Sequence, residues 1–169
     1  MLALVAVILA GGAAFMMQQN RLAQFKRLAA EAEEKMEARE YADAVQILKR
    51  VYDEGHTARA TLLLGKAYYE QSKPSEAIKY FAEVEKKHAR SGYVSEAVMY
   101  QGRYALEVEG NRKKAKDIFV RVLEKFPESP MADHALYYLA KISYDEGDIT
   151  QTKKNLEQVV RKSDSPVKD

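Results

Sequence analysis

The sequence predicts an all-α protein, an α-solenoid of about four helix–turn–helix units preceded by an N-terminal hydrophobic helix. Two observations carry that prediction. A series of two small residues, a large apolar residue and a valine recurs in step: Ala32, Ala44, Leu48, Val51; Gly65, Ala77, Phe81, Val84; Gly102, Ala115, Phe119, Val122; and, with Thr152 as the second small residue, Ala140, Thr152, Leu156, Val159. The valines step by 33, 38 and 37 residues, and the two small residues stand 12, 12, 13 and 12 apart. Copies held in such register point to stacked supersecondary units. The second observation is helical spacing of apolar positions within each series, with no segment alternating cleanly enough to read as a strand.

The first element is apolar throughout. Residues 2–17, LALVAVILAGGAAFMM, carry no charged or hydrogen-bonding side chain, and polarity begins at Gln18-Gln19-Asn20. With Met1 the run makes roughly 25 Å of helix at about 1.5 Å per residue, the short end of a membrane span. It lacks the polar face of a core helix. The favoured reading is an uncleaved anchor. A cleaved signal peptide is the alternative, because Ala10-Gly11-Gly12-Ala13-Ala14 suits a peptidase, although no basic side chain precedes the run. Residues 1–20 are therefore assigned to a transmembrane anchor or uncleaved signal, 21–165 to the helical repeats and 166–169 to a polar tail. Arg21, Lys26 and Arg27 follow the run, with no basic side chain before it. The positive-inside rule then makes this a single-pass membrane protein with cytoplasmic repeats.

The repeats follow in order. Residues 25–58 form the first unit, with Ala32, Ala44 and Leu48. In the second, residues 58–91, Ala60, Leu64, Ala67 and Tyr68 mark one helix and Ala77, Ile78, Phe81 and Val84 the next. Ser72-Lys73-Pro74 breaks the pair, and Pro74 suits a helix start because its missing N–H would be unsatisfied there anyway. The third unit, 95–129, is broken by Glu109-Gly110-Asn111, and the fourth, 133–166, by Glu146-Gly147-Asp148. Both glycines suit helix ends that need a left-handed backbone. Small residues at Gly65/Ala77 and Gly102/Ala115 let paired helices approach closely, with Phe81 and Phe119 filling the space alongside. The last helix carries Lys153, Lys154, Glu157, Arg161 and Lys162, which favours an outer face kept in water by its own charges.

These landmarks resemble the tetratricopeptide repeat, a helical pair of about 34 residues. Its motif has a Leu-Gly pair, a Tyr, an Ala twelve after the Gly, an aromatic four later and a closing Pro. Leu64-Gly65, Tyr68, Ala77 and Phe81 match, with Ala89 where Pro is usual. Gly102, Ala115, Phe119 and Pro127 match with one extra residue near Gly110. Leu139-Ala140 match, but Thr152 occupies the Ala position. The connections KKHARSGYVSEAVMY (86–100) and EKFPESPMADHALYY (124–138) align with each other and resemble repeats of bacterial cell-envelope proteins. That resemblance implies an envelope role and a periplasmic domain, against the charge rule; both sides of the membrane stay open.

Composition narrows the function. A net charge of +2 argues against a general grip on nucleic acid, and the absence of cysteine removes thiol chemistry and Cys-based metal sites. His56, His88 and His134 lie in different units without metal-ligand spacing, and no phosphate loop, HExxH or GxSxG is present. Glu31, Glu34 and Glu37 follow one helix face and read as a solvated flank, as does the basic run Arg112 to Lys116. The expectation is a non-enzyme with no cofactor and no metal. In the resembling family, the residue after the first small position points into a concave groove, with those four before and three after it. Carried over, this gives Lys66, Arg103 and Lys141, flanked by Leu62, Tyr69, Met99, Leu106, Tyr137 and Tyr144. Such a surface suits a protein or peptide partner with acidic groups. The alternative is a homo-oligomer assembled through the groove or the terminal helix.

Overall fold

The computed structural model describes residues 2–163, with side chains from Gly11 to Val160. Among the described residues are eight α-helices and no strand: α1 (Leu2–Glu37), α2 (Tyr41–Gly55), α3 (Ala58–Glu70), α4 (Pro74–Lys87), α5 (Val94–Glu107), α6 (Arg112–Lys125), α7 (Met131–Asp145) and α8 (Ile149–Ser163). They form two compact units, one ending at Ser72 and the other beginning at Lys73. The predicted tail at 166–169 lies outside the described residues.

In the first unit, α1 packs against both α2 and α3. The predicted boundary at residue 20 falls inside this single 36-residue helix. From Gly11 to Gln24 every residue is exposed, including Phe15 at 60%, Met16 at 66% and Met17 at 72%. From Phe25 onward the helix becomes one-sided: Phe25, Ala29 and Ala32 are buried at the spacing of one helical face. Phe25 packs with Val51 and Ala60, with Leu28 alongside. Its ring lies over Gly55, where a Cβ would stand 2.5 Å from the ring edge. Arg21 donates to the Glu54 carbonyl at 2.6 Å, satisfying one of the last carbonyls of α2. Thr57 caps α3 by accepting from the Ala60 N–H at 3.2 Å. Among the described residues no helix is long and apolar enough to cross a membrane. The side chains of 2–10, which carry most of the predicted span, lie outside them.

In the second unit, successive helices from α4 to α8 pack on one another, and α5 also meets α7. Pro74 occupies the first turn of α4, as its fixed φ predicts. Ala77, Phe81 and Val84 in α4, and Ala115, Phe119 and Val122 in α6, are fully buried. Phe119 lies between two elements. On one side is Gly102 of α5, where a Cβ would sit 2.4 Å from the ring; on the other, Tyr138 of α7 stacks at 5.1 Å. Phe81 stacks on Tyr100 in the same way, at 4.7 Å. Gly110 and Gly147 end helices at φ +64° and +79°, the left-handed region that a Cβ disfavours. On the last helix the expected charges Lys153, Lys154 and Glu157 are exposed, with the side chains of Arg161 and Lys162 outside the described residues, but they share the surface with apolar side chains. In α8 Thr152 and Asn155 are buried while Ile149, Leu156 and Val160 are 49%, 44% and 57% exposed. Leu156 keeps the sequence position of Phe119 but not its burial.

Candidate functional site

The predicted groove residues divide between the two units. In the second, Met99, Arg103 and Leu106 belong to α5, and Tyr137, Lys141 and Tyr144 to the neighbouring α7. Between these helices lies a cavity of about 220 Å³ lined by Glu96, Met99, Tyr100, Arg103, Met131, His134 and Tyr138. That is below the roughly 300–1,000 Å³ of small-molecule sites and fits a single side chain instead. Met99 is 3% exposed, so it forms the floor of this cavity and not an open wall. Tyr137 and Tyr144 are exposed at 56% and 66%, with Lys141 between them on the same face of α7 and also exposed. Leu106 is half-buried.

Arg103 is already engaged. Its guanidinium lies 5.2 Å over the Tyr100 ring and donates to Glu107 at 3.2 and 3.3 Å, while Tyr138 donates to the same carboxylate at 3.4 Å. The chain Tyr100–Arg103–Glu107–Tyr138 fixes the cavity wall and offsets the cation. Burial pushes the Tyr138 phenol above the usual tyrosine range; Arg103 opposes that shift and Glu107 adds to it.

In the first unit Lys66 is half-buried and lines a wider depression of about 410 Å³ with Glu33, Met36, Glu37, Tyr41, Leu63 and Glu70. Three carboxylates surround the one lysine, and Glu33 also accepts from Arg59 at 2.6 Å. Leu62, at 2% exposure, belongs to the core of this unit and offers no surface to a partner; Tyr69 is half-buried. The uniform cationic ladder read from sequence is therefore modified by acids that periodicity did not reveal. Glu107 lies four residues after Arg103, a helical ion-pair spacing that could have exposed the pairing. Met131, His134 and Tyr138 were not among the predicted groove residues, although the alignment of Tyr100 with Tyr138 held the signal. Among the described residues no group of three His, Cys, Asp or Glu side chains is placed to hold a metal.

Comparison with known proteins agrees with this architecture. Residues 29–93 match one tetratricopeptide-repeat profile, and residues 96–129 and 134–165 match a second. Among solved structures, the chain is similar to the nearly identical TPR-like repeats of a putative kinesin light chain from Podosopora anserina. The TM-score is 0.66 at 16% identity, over 86% of this chain and 78% of that one. No curated protein matches the chain.

Proposed function

The chain belongs to the tetratricopeptide repeat family, whose repeats typically mediate protein–protein interaction and scaffolding, and from that premise we propose that it is a membrane-attached scaffold holding a polypeptide partner on α5 and α7. The cavity between those helices carries the proposal. It would take one apolar or aromatic side chain between Met99, Met131 and Tyr138, with Tyr137 and Tyr144 covering the adjoining backbone. Lys141, exposed beside it, would meet an acidic group. The first unit's acid-rich depression around Lys66 would by itself favour a basic or neutral stretch of polypeptide. The test places a photo-crosslinking residue at Tyr144 in the full chain in native membranes. One polypeptide should be labelled, and the pair Tyr137→Ala and Lys141→Glu, both at exposed positions, should abolish that labelling while helicity is unchanged. Equal labelling by the substituted chain refutes the reading.

Attachment to the membrane rests on the apolar run 2–17 and the exposed Phe15, Met16 and Met17. The basic residues Arg21, Lys26 and Arg27 that follow it favour cytoplasmic repeats. The connection at 124–138 favours the periplasm and a role in envelope assembly. Reporter fusions at the C-terminus, active on one side of the membrane only, decide between the two.

A further inference from the structure

We infer that the exposed face of α8 docks α1 of a second copy of this chain, so that copies join end to end. The second unit contains its own template for such a joint. Where α6 meets α7, Phe119 stacks on Tyr138 at 5.1 Å, and Lys116, nearer the start of α6, pairs with Glu146 just past the end of α7. The two contacts fix an antiparallel crossing. In the repeat register Lys153 and Leu156 of α8 stand where Lys116 and Phe119 stand in α6. Likewise Ala30 of α1 stands where Tyr138 does, and Glu37 lies next to the place of Glu146.

Both faces have the surface this joint needs. On α8, Ile149, Leu156 and Val160 are exposed apolar residues beside the exposed Lys153 and Lys154. On α1, Ala30 is an exposed small residue, and Glu31, Glu34 and Glu37 are exposed acids toward the helix end. An antiparallel crossing sets the basic start of α8 against the acidic end of α1 and lays Leu156 over Ala30. The match of charge in the one register that also joins apolar to small favours a second copy over an unrelated partner. Because the two faces differ, the contact is head-to-tail, and it propagates unless the rotation closes a ring. The proposal does not depend on the cavity between α5 and α7; it shares only Glu37 with the depression around Lys66.

The chain has no cysteine, so paired introductions report cleanly. Full-length protein in neutral detergent carrying both Ala30→Cys and Leu156→Cys should oxidise to a ladder of dimers, trimers and longer chains. Each single variant should stay monomeric, and a mixture of the two should stop at dimer. In sedimentation without cysteines, Lys153→Glu should weaken association about tenfold, and adding Glu34→Lys with Glu37→Lys should recover most of it. A doubly substituted chain that yields no ladder overturns the inference and leaves α8 to a different protein. So does a dimer formed by Leu156→Cys alone, which would mean that the face meets its own copy. Unchanged association in Lys153→Glu overturns the register.

Discussion

Replacing Gly102 by alanine sets two physical effects of opposite sign against each other. In the middle of α5, alanine should stabilise by about 0.5–1 kcal/mol, because glycine loses more backbone freedom on folding. The added methyl, however, would stand 2.4, 2.8 and 3.0 Å from three carbons of the Phe119 ring. That ring cannot swing aside at low cost, since it is fully buried and stacked by Tyr138 on another side. Overpacking of this kind typically costs about 1–3 kcal/mol, so strain should win and the net loss should be about 1 kcal/mol. Urea unfolding followed by circular dichroism at 222 nm measures it, with the midpoint falling and the slope unchanged. The partner substitution Phe119→Leu alone should also destabilise by leaving space beside Gly102. Combined with Gly102→Ala it should cost less than the two losses added, because the methyl then fills that space. A Gly102→Ala chain at least 0.5 kcal/mol more stable than the parent would refute the reasoning, since it would show that the ring yields freely.

Three further outcomes follow from the same contacts. Phe25→Ala removes the ring that joins α1 to Val51, Ala60 and Gly55; it should cost about 3 kcal/mol and raise amide exchange across residues 25–37, while α5 to α7 keep their protection. Asn111→Ala deletes the side chain that accepts from the Lys114 N–H at 3.0 Å; thermal unfolding should report a loss of about 1 kcal/mol, and Asp148→Ala, which accepts from Gln151 at 2.9 Å, should behave alike. Tyr138 has a raised pKa in the folded state, so its neutral form contributes stability in full below the unfolded value near pH ~10 and loses it as pH climbs through the folded value above that. Tyr138→Phe should therefore show a shallower decline in unfolding midpoint above pH 10 than the parent, and equal slopes would exclude this tyrosine as the source.

The repeat was legible in sequence because its signal is steric. Only small residues fit where Gly102 and Ala115 bring helices together, only a large ring fills the space beside them, and these needs recur with each copy. Breakers were legible for a similar reason: Gly110 and Gly147 sit at positive φ, which backbone sterics reserve largely for glycine. The candidate site was less legible because it depends on what crosses between helices. A residue's place in the motif put Leu62 and Met99 beside the cations, yet neighbouring helices bury both. Gly55 reads in sequence as a turn residue, and its contact with Phe25 joins segments thirty residues apart that no local pattern links. The exposed face of α8 escaped for the opposite reason: its charges suggested a solvated surface, while the exposure of Leu156 and Val160 depends on which flank turns toward α7.

The continuity of α1 ties its exposed apolar stretch to the packed first unit. Between Gly11 and Met17 the helix has no polar side chain and, among the described residues, no packed neighbour, whereas from Phe25 it needs a core on one side and water on the other. Fully burying an aromatic or methionine side chain stabilises by about 1.5–3 kcal/mol, so Phe15, Met16 and Met17, each about two-thirds exposed, together favour an apolar cover by about 3–6 kcal/mol. They point in different directions around the helix, so a one-sided groove would leave part of this unrealised; lipid, or several helices at once, would not. The crossover occurs within about two turns, and it is held at the far side by Arg21 on the Glu54 carbonyl and Phe25 on Gly55. A helix gripped this way cannot swivel at its base. Whatever covers Phe15 to Met17 therefore fixes the heading of the first unit, and the proposed bilayer attachment would orient that unit as well as retain it.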